Sequence, residues 1–506
     1  MSDREFDVVI IGAGLGGMEC AYILASEGMS VCVLEKNQQL GGSLQVFSRE
    51  KTIFDTGVHY IGGLSPGQNL HRYLTYFGVM DKLKLQRMDM DGFDLCSMEG
   101  DAQEYPHAQG FDNFVRRLSD LFPHERSGLR KYIDEIQRVC GKFPLYNLED
   151  RESSEWKDEE LGLNAKEYIA SMVKDPALRN VLGGSSALYA GDGRTSPFYV
   201  HALVSNTYIE SAWRCVDGGS QIAKHLAHNV RAKGGTIISR KEVSGFEFGA
   251  QGISAVLTTD GDAFHGKHVI SNIHPNTLLS MIGPGHVRPA YRHRLNSLRN
   301  TTGTFTVHLV MKHGAFPYFN HNYYHMRIQD AWEAVRYNRS DWPDSYMLST
   351  PKSTRGGDYA DAVTIMAYMD FDEVEQWAGT HNTVVRPGSR GEGYEAFKRK
   401  KEQDVIRVVE RKFSGLSSGI TAVHSNSPLS FRDFIGSHNG SMYGIMKDAA
   451  DPLKTFIPAR TKVPNLLLTG QNVNLHGILG VTVSSVVTCS ELLGKSYLVK
   501  KMRAAS

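Results

Sequence analysis

Gly12, Gly14 and Gly17 stand at the spacing of a turn that binds pyrophosphate through backbone N–H groups. Glycine brings no side chain, so the chemistry on offer is anion binding by peptide dipoles. Gly12 permits the tight turn, Gly14 lets a phosphate approach the chain, and Gly17 lets a helix lie close on a strand. A helix beginning at such a turn points unpaired N–H groups at the phosphates. Glu35 ends the next apolar run, where a carboxylate accepts hydrogen bonds from a ribose. The plainer alternative is the glycine-rich turn of an ordinary βα unit.

These residues need a particular scaffold, and the flanking sequence supplies it. Residues 6–11 read as a buried strand, the stretch after Gly14 as a helix running to Gly28, and residues 31–34 as a second strand. Further pieces of the same α/β sheet lie far along the chain. A helix begins after Gly218-Gly219, and a strand follows Gly234-Gly235. Val243 falls where such folds set a backbone group against adenine. Residues 252–257 begin a β-ribbon, with residues 268–272 as its returning strand. Residues 465–470 read as a buried strand, followed by Gly477, Gly480 and a last helix to about Leu493. Between these pieces the chain changes character. Residues 71–212 carry helical patterns, at 111–122 and 129–139, while residues 275–440 mix strands, at 304–311 and 362–368, with aromatic stretches. Phe316, Tyr318, Phe319, Tyr323 and Tyr324 either fill a core or form one wall of an apolar substrate channel.

Composition narrows the function class. The chain has 506 residues and a net charge of +1, which gives no reason to expect nucleic acid. The basic run 398–401 reads as a solvated helix face. Six scattered cysteines form no metal-like or CxxC spacing, and Cys32 reads as core. His321, His325 and His381 show no ligand spacing with acids or cysteines, so no metal is expected. The charged first residues enter a strand at once, leaving no room for a signal peptide, and no apolar run reaches the ~20 residues of a membrane span. The expectation is a cytoplasmic protein, with peripheral membrane contact left open and the oligomeric state unknown.

The glycine pair Gly41-Gly42, just past Glu35, resembles the layout of flavoprotein oxidoreductases that bind FAD in an extended form. Residues 54–63, Phe-Asp-Thr-Gly-Val-His-Tyr-Ile-Gly-Gly, are similar to a segment of the all-trans-retinol 13,14-reductases, or retinol saturases. Leu468-Thr469-Gly470-Gln471-Asn472 and Gly477-Ile478-Leu479-Gly480 resemble the C-terminal flavin segment of the same enzymes. Ser271-Asn272-Ile273-His274-Pro275 is similar to an element of phytoene desaturases and carotene isomerases. Two departures stand out: Ser43-Leu44-Gln45 where those enzymes tend to carry cysteines, and Trp213-Arg214-Cys215 before Gly218-Gly219.

The resemblance implies an α/β fold: a Rossmann-type, amine-oxidase-like FAD-binding domain with an inserted α+β substrate domain. The FAD domain would be discontinuous (residues 1–70, 213–275 and 440–494), the substrate domain would take 71–212 and 276–439, and 495–506 would be a C-terminal tail. It implies FAD contacts at Gly12, Gly14, Gly17, Glu35, Gly42, Val243, Gly470, Gln471, Gly480 and Val481, with N–H groups of residues 480–483 at the flavin ring. Candidate proton donors are His59, Tyr60 and His476; His59 reads equally well as a hydrogen-bond partner only, and a loop histidine such as His476 is more often such a partner. Arg214 could bind a substrate carboxylate or form a surface salt bridge. The implied activity is reduction of a C=C bond in a hydrophobic polyene, with NADPH or NADH as a candidate donor but one dinucleotide fingerprint only. Desaturation, isomerisation, amine or porphyrinogen oxidation, and a non-redox carrier of lipid or prenylated protein are the alternatives on the same fold.

Overall fold

The computed structural model describes residues 4–151, 158–355 and 357–505. Strand β1 (Arg4–Ile11) leads through the glycine turn into helix α1 (Leu15–Ala25) and strand β2 (Val31–Leu34). In the first seven-stranded sheet, Thr236–Ile238, β2, β1, Ala263–Ser271 and Leu466–Leu468 run parallel. Both faces of β1 are covered, as a parallel sheet requires. Val8 and Ile10 pack toward α1, while Val9 and Ile11 pack with Val243, Leu278 and Leu468 on the other side. Cys32 on β2 is fully buried, one of six buried free cysteines.

The ribbon differs from its sequence reading. It starts earlier, pairing Val243–Gly249 with Gly252–Thr258, and the next strand joins it only at Phe264 and Ala263. The rest of that strand, at His268–Ser271, is a central parallel strand between β1 and Leu466–Leu468. Its apolar Val269 and Ile270 are buried from both faces, which a two-stranded ribbon could not do.

A second seven-stranded sheet runs in the order Ile420–Asn426, Gly303–Met311, Ala362–Met369, Ser345–Ser349, Asn322–Met326, Asp94–Met98, Glu104–His107. The last two strands come from the stretch that reads as helical. They are short, and their neighbour Asn322–Met326 lies far along the chain. The helices of that stretch, Phe111–Leu121 and Arg126–Cys140, form at the expected places and pack with Phe198–Glu210. On Gly303–Met311 the side chains alternate: Phe305, Val307 and Leu309 share a core with Val405 and Val409 of the helix Glu392–Lys412, while Thr304 faces the large cavity described below. The basic run on that helix is not wholly solvated. Lys401 is 8% exposed, donates to Glu373 Oε2 at 2.7 Å and lies over the Trp342 ring.

The residues expected to be a tail form another helix, Lys495–Ala505. Leu498, Val499 and Met502 are spaced along one helical stripe and are fully buried. No helix among the described residues is long and apolar enough to cross a membrane.

Candidate active site

A cavity of about 830 Å³ runs between the two sheets. Gly12, Gly14, Glu35, Gly42, Val243, Gly470, Gln471, Gly480 and Val481 all line it, as do His59, Tyr60 and His476. Gly17 does not line it. A Cβ at Gly17 would lie 2.1 Å from the Gly12 carbonyl oxygen, so this glycine lets α1 sit against the turn.

The glycine turn is built by mutual close approach. Gly41 N donates to Ala13 O at 2.9 Å, folding the second glycine pair onto the first. A Cβ on Gly42 would lie 3.3 Å from Gly14 Cα, and one on Gly14 would lie 2.8 Å from Asn272 Nδ2. Glu35 ties the turns together: Oε2 accepts from Ala13 N and Oε1 from Asn37 N, both at 2.9 Å. Burial raises its pKa, and these N–H donors counter the rise. Helix α1 has no side-chain cap at Gly14, so its first N–H groups face the cavity open to an anion.

The second helix start differs from the sequence reading by one turn. Helix Gly477–Leu493 begins after His476, whose side chain makes no capping bond, so the unpaired N–H groups of its first turn belong to Gly477, Ile478 and Leu479. Gly480 lies past that turn, and a Cβ there would meet the Leu475 carbonyl oxygen at 2.6 Å. Its lack of a side chain lets the loop close over the helix.

His59 is half-buried, its Nε2 atom is buried and unpartnered, and desolvation together with the Arg214 charge lowers its pKa to about 4. It is a neutral imidazole on a residue that lines the cavity, with one nitrogen free to bond a polar ligand. Asn474 Nδ2 is a second buried, unpartnered atom on a residue lining the cavity. His476 is held: its Nε2 lies 3.1 Å from Leu188 O, its ring packs on Tyr443, and burial lowers its pKa to about 4. Tyr60 Oη donates to Asp94 Oδ2 at 2.7 Å and lies 2.8 Å from Tyr324 Oη.

Arg214 takes neither role expected of it. It is 1% exposed and lines no part of the cavity, and its guanidinium donates to Thr350 O at 3.1 Å, His321 O at 2.8 Å and Asn322 Oδ1 at 2.7 Å. It is an internal fastener between the strand Ala212–Cys215 and the second sheet. The aromatic cluster divides between its two readings. Phe316, Phe319 and Tyr323 pack around Phe413, Tyr318 lies under Arg214 and Lys352, and Tyr324 alone of the five lines the cavity. Tyr323 and Tyr324 are neighbours on one strand and so point to opposite faces.

Several lining residues fall outside the expected cofactor contacts. Asn272 sits between the glycine turn and Gly470, its amide donating to Gly12 O at 3.4 Å. Tyr208, Met347, Met366, Tyr368 and Tyr443 give the far part of the cavity an apolar wall with few polar groups. Among the described residues no cluster of His, Cys, Asp or Glu could hold a metal ion. The glycine cradle, the uncapped helix starts and the unpartnered His59 and Asn474 atoms together fit a bound flavin dinucleotide.

Comparisons with known proteins agree with this geometry. All-trans-retinol 13,14-reductase of Rattus norvegicus is 25% identical, covering 99% of this chain and 88% of its own length. Prolycopene isomerase 1 of an Oncidium hybrid is 23% identical, over 98% of this chain and 85% of its own. Putrescine oxidase bound to putrescine shares the fold, with a TM-score of 0.63 at 14% identity over 99% of this chain and 100% of its own. The sequence profile described as flavin containing amine oxidoreductase matches residues 15–419, most of the length, and the chain therefore belongs to that family of flavin-dependent oxidoreductases.

Proposed function

We propose that the protein is an FAD-dependent reductase of a carbon–carbon double bond in a hydrophobic polyene of retinoid or carotenoid type. One observation carries the reading: the glycine cradle and the apolar, tyrosine- and methionine-rich chamber are parts of one cavity. Similarity to an all-trans-retinol 13,14-reductase over nearly the whole chain supports the substrate class. The reduced flavin supplies a hydride when bound. The chain's own groups do the rest. Met347, Met366, Tyr208 and Tyr368 hold an apolar chain and exclude water. His59 and Asn474 offer hydrogen bonds to the cofactor's polar edge. The first turn of Gly477–Leu493 turns partial positive charge toward it, which favours an anionic form. Leu453 and Phe456, 63% and 52% exposed, lie at the cavity rim, where a substrate carried on a membrane surface would meet apolar side chains. NADPH or NADH is the proposed electron donor.

The test is anaerobic stopped-flow of the purified, flavin-loaded protein with NADPH or NADH, then all-trans-retinol. Bleaching by nicotinamide and recovery on adding retinol, with a product carrying two more hydrogens, is the expected result. Flavin that ignores nicotinamide but is bleached by a more saturated polyene would make the enzyme a desaturase. Similarity to a prolycopene isomerase favours a second reading, redox-neutral isomerisation in the same cavity. It predicts a product of unchanged mass.

A further inference from the structure

Asp94 opens the strand Asp94–Met98 and is 2% exposed. It stands behind the cavity wall, since Tyr60 and Tyr324 line the cavity and Asp94 does not. Its carboxyl oxygens are engaged separately. Oδ2 accepts from Tyr60 Oη at 2.7 Å, and Oδ1 accepts from Asn322 Nδ2 at 2.8 Å. The orientation of Asn322 is fixed in turn, because its Oδ1 accepts from Arg214 at 2.7 Å. Beyond Tyr60 the line continues to Tyr324 Oη at 2.8 Å.

We propose that Asp94, Tyr60 and Tyr324 form a proton relay into the chamber, with Tyr324 protonating the substrate carbon and Asp94 storing the proton. The proposal rests on the C=C reductase reading above. The line of hydroxyls has two polarities that differ by one proton. In the loaded state the Asp94 carboxylic acid donates to Tyr60 Oη, Tyr60 donates to Tyr324, and the Tyr324 O–H is left pointing at the cavity. In the discharged state every bond is reversed: Tyr324 donates to Tyr60, and Tyr60 to the Asp94 carboxylate. One transfer converts the first into the second. The Tyr324 O–H bond breaks as a C–H bond forms on the substrate carbon next to the one that receives hydride from the reduced flavin. Tyr324 then takes the Tyr60 proton, and Tyr60 takes the Asp94 proton. The substrate gains a hydride and a proton, and Asp94 is left ionised until it is reloaded.

The surroundings suit a proton held near neutrality. Burial pushes Asp94 up to about 7, against the hydrogen bonds from Asn322 and Tyr60 and the Arg214 charge, which pull it down. The other titratable groups facing it are Cys96 on its own strand, His107 paired across from it, and Tyr324 and Tyr208 beyond Tyr60. Burial holds His107 neutral with a pKa of about 4, and burial raises Cys96, Tyr60 and Tyr324 far enough to stay protonated. Asp94 is thus the member of this group that titrates near pH 7. The loaded state prevails below that point and is lost as pH rises through it.

Two measurements on the flavin-loaded protein test the relay, across neutral pH, for wild type, Asp94→Asn and Tyr324→Phe. The first is infrared spectroscopy of protonated carboxyl groups, which needs no substrate. Asp55, Glu210 and Glu19 are also pushed up, to about 7, 7 and 8, so the Asp94 signal is the band missing from Asp94→Asn. The second is anaerobic single-turnover oxidation of the dithionite-reduced protein by all-trans-retinol. The relay predicts a carboxylic-acid band assigned to Asp94 that fades near pH 7. It also predicts a wild-type rate that falls over the same range, and a rate lower by about a hundredfold and flat with pH in Asp94→Asn. Tyr324→Phe keeps the ring and should lose a similar factor while retaining the band. It carries the kinetic test if Asp94→Asn fails to fold. Absence of the Asp94 band, or an unchanged pH profile in both variants, overturns the relay. Reduced wild type that retinol cannot reoxidise overturns the reading of the function instead, and the infrared result still decides whether Asp94 holds the proton.

Discussion

At Gly17 a side chain has nowhere to go, because the Gly12 carbonyl oxygen would lie 2.1 Å from its Cβ. Gly17→Ala is therefore expected to destabilise the fold by about 3 kcal/mol or more, seen as a lowered denaturation midpoint. A Cβ on Gly14 would instead meet the movable Asn272 amide at 2.8 Å, so Gly14→Ala should lose flavin before it loses stability. Glu35 has two linked duties, since its carboxylate lines the cavity and closes two buried N–H groups. Glu35→Ala leaves Ala13 N and Asn37 N without that acceptor, at a cost of about 1–3 kcal/mol each if they stay dry. The expected outcome is a flavin-to-protein ratio that falls on gel filtration. Full flavin retention in this variant would contradict the ribose placement.

Elements impose their own requirements. Glu19, in the middle of α1, is fully buried against the helix Gly477–Leu493 and accepts from Thr482 Oγ1 at 2.7 Å and Ser485 Oγ at 2.9 Å. Burial pushes its pKa up from 4.5 to about 8, so the folded protein keeps a proton that the unfolded chain releases. The stability tied to this group is fully present below the unfolded value and is lost as pH rises toward about 8, at up to about 1.4 kcal/mol per pH unit. Glu19→Gln should flatten that decline in urea titrations taken across the range, and an unchanged slope would place the titration elsewhere. The final helix makes a separate prediction. Ending the chain at Gly494 removes Leu498, Val499 and Met502, all fully buried, at about 1.5–3 kcal/mol each. The truncated protein should be markedly less stable or insoluble, whereas a solvated tail would be dispensable.

Across the whole molecule, the cavity is the junction where distant stretches of chain meet. Cofactor bound there stabilises all of them at once, so stripping the flavin should lower the melting temperature, and added FAD should restore it in a concentration-dependent way. At a hundredfold excess over Kd the gain is about 2.7 kcal/mol. What was legible in the sequence is what local rules govern. Apolar runs gave β1, β2 and the strand Leu466–Leu468, glycine spacing gave the cradle, and the last helix of the flavin segment ends at Leu493 as expected. Backbone conformation and burial pattern repeat over a few residues, so nearby sequence is enough to reveal them. The strands Asp94–Met98 and Glu104–His107 were not legible, because what stabilises them is pairing with residues 322–326. The burial of Arg214 was hidden for the same reason, its acceptors lying at positions 319–322 and 350. Tyr60 could be picked out by its motif, but its partners lie 34 and 264 residues away. By itself the sequence determined a dinucleotide-binding α/β protein with its cradle in place. Only the tertiary structure decided which buried acid stands behind which hydroxyl, because such contacts are set by the packing of separate sheets and leave no period in the chain.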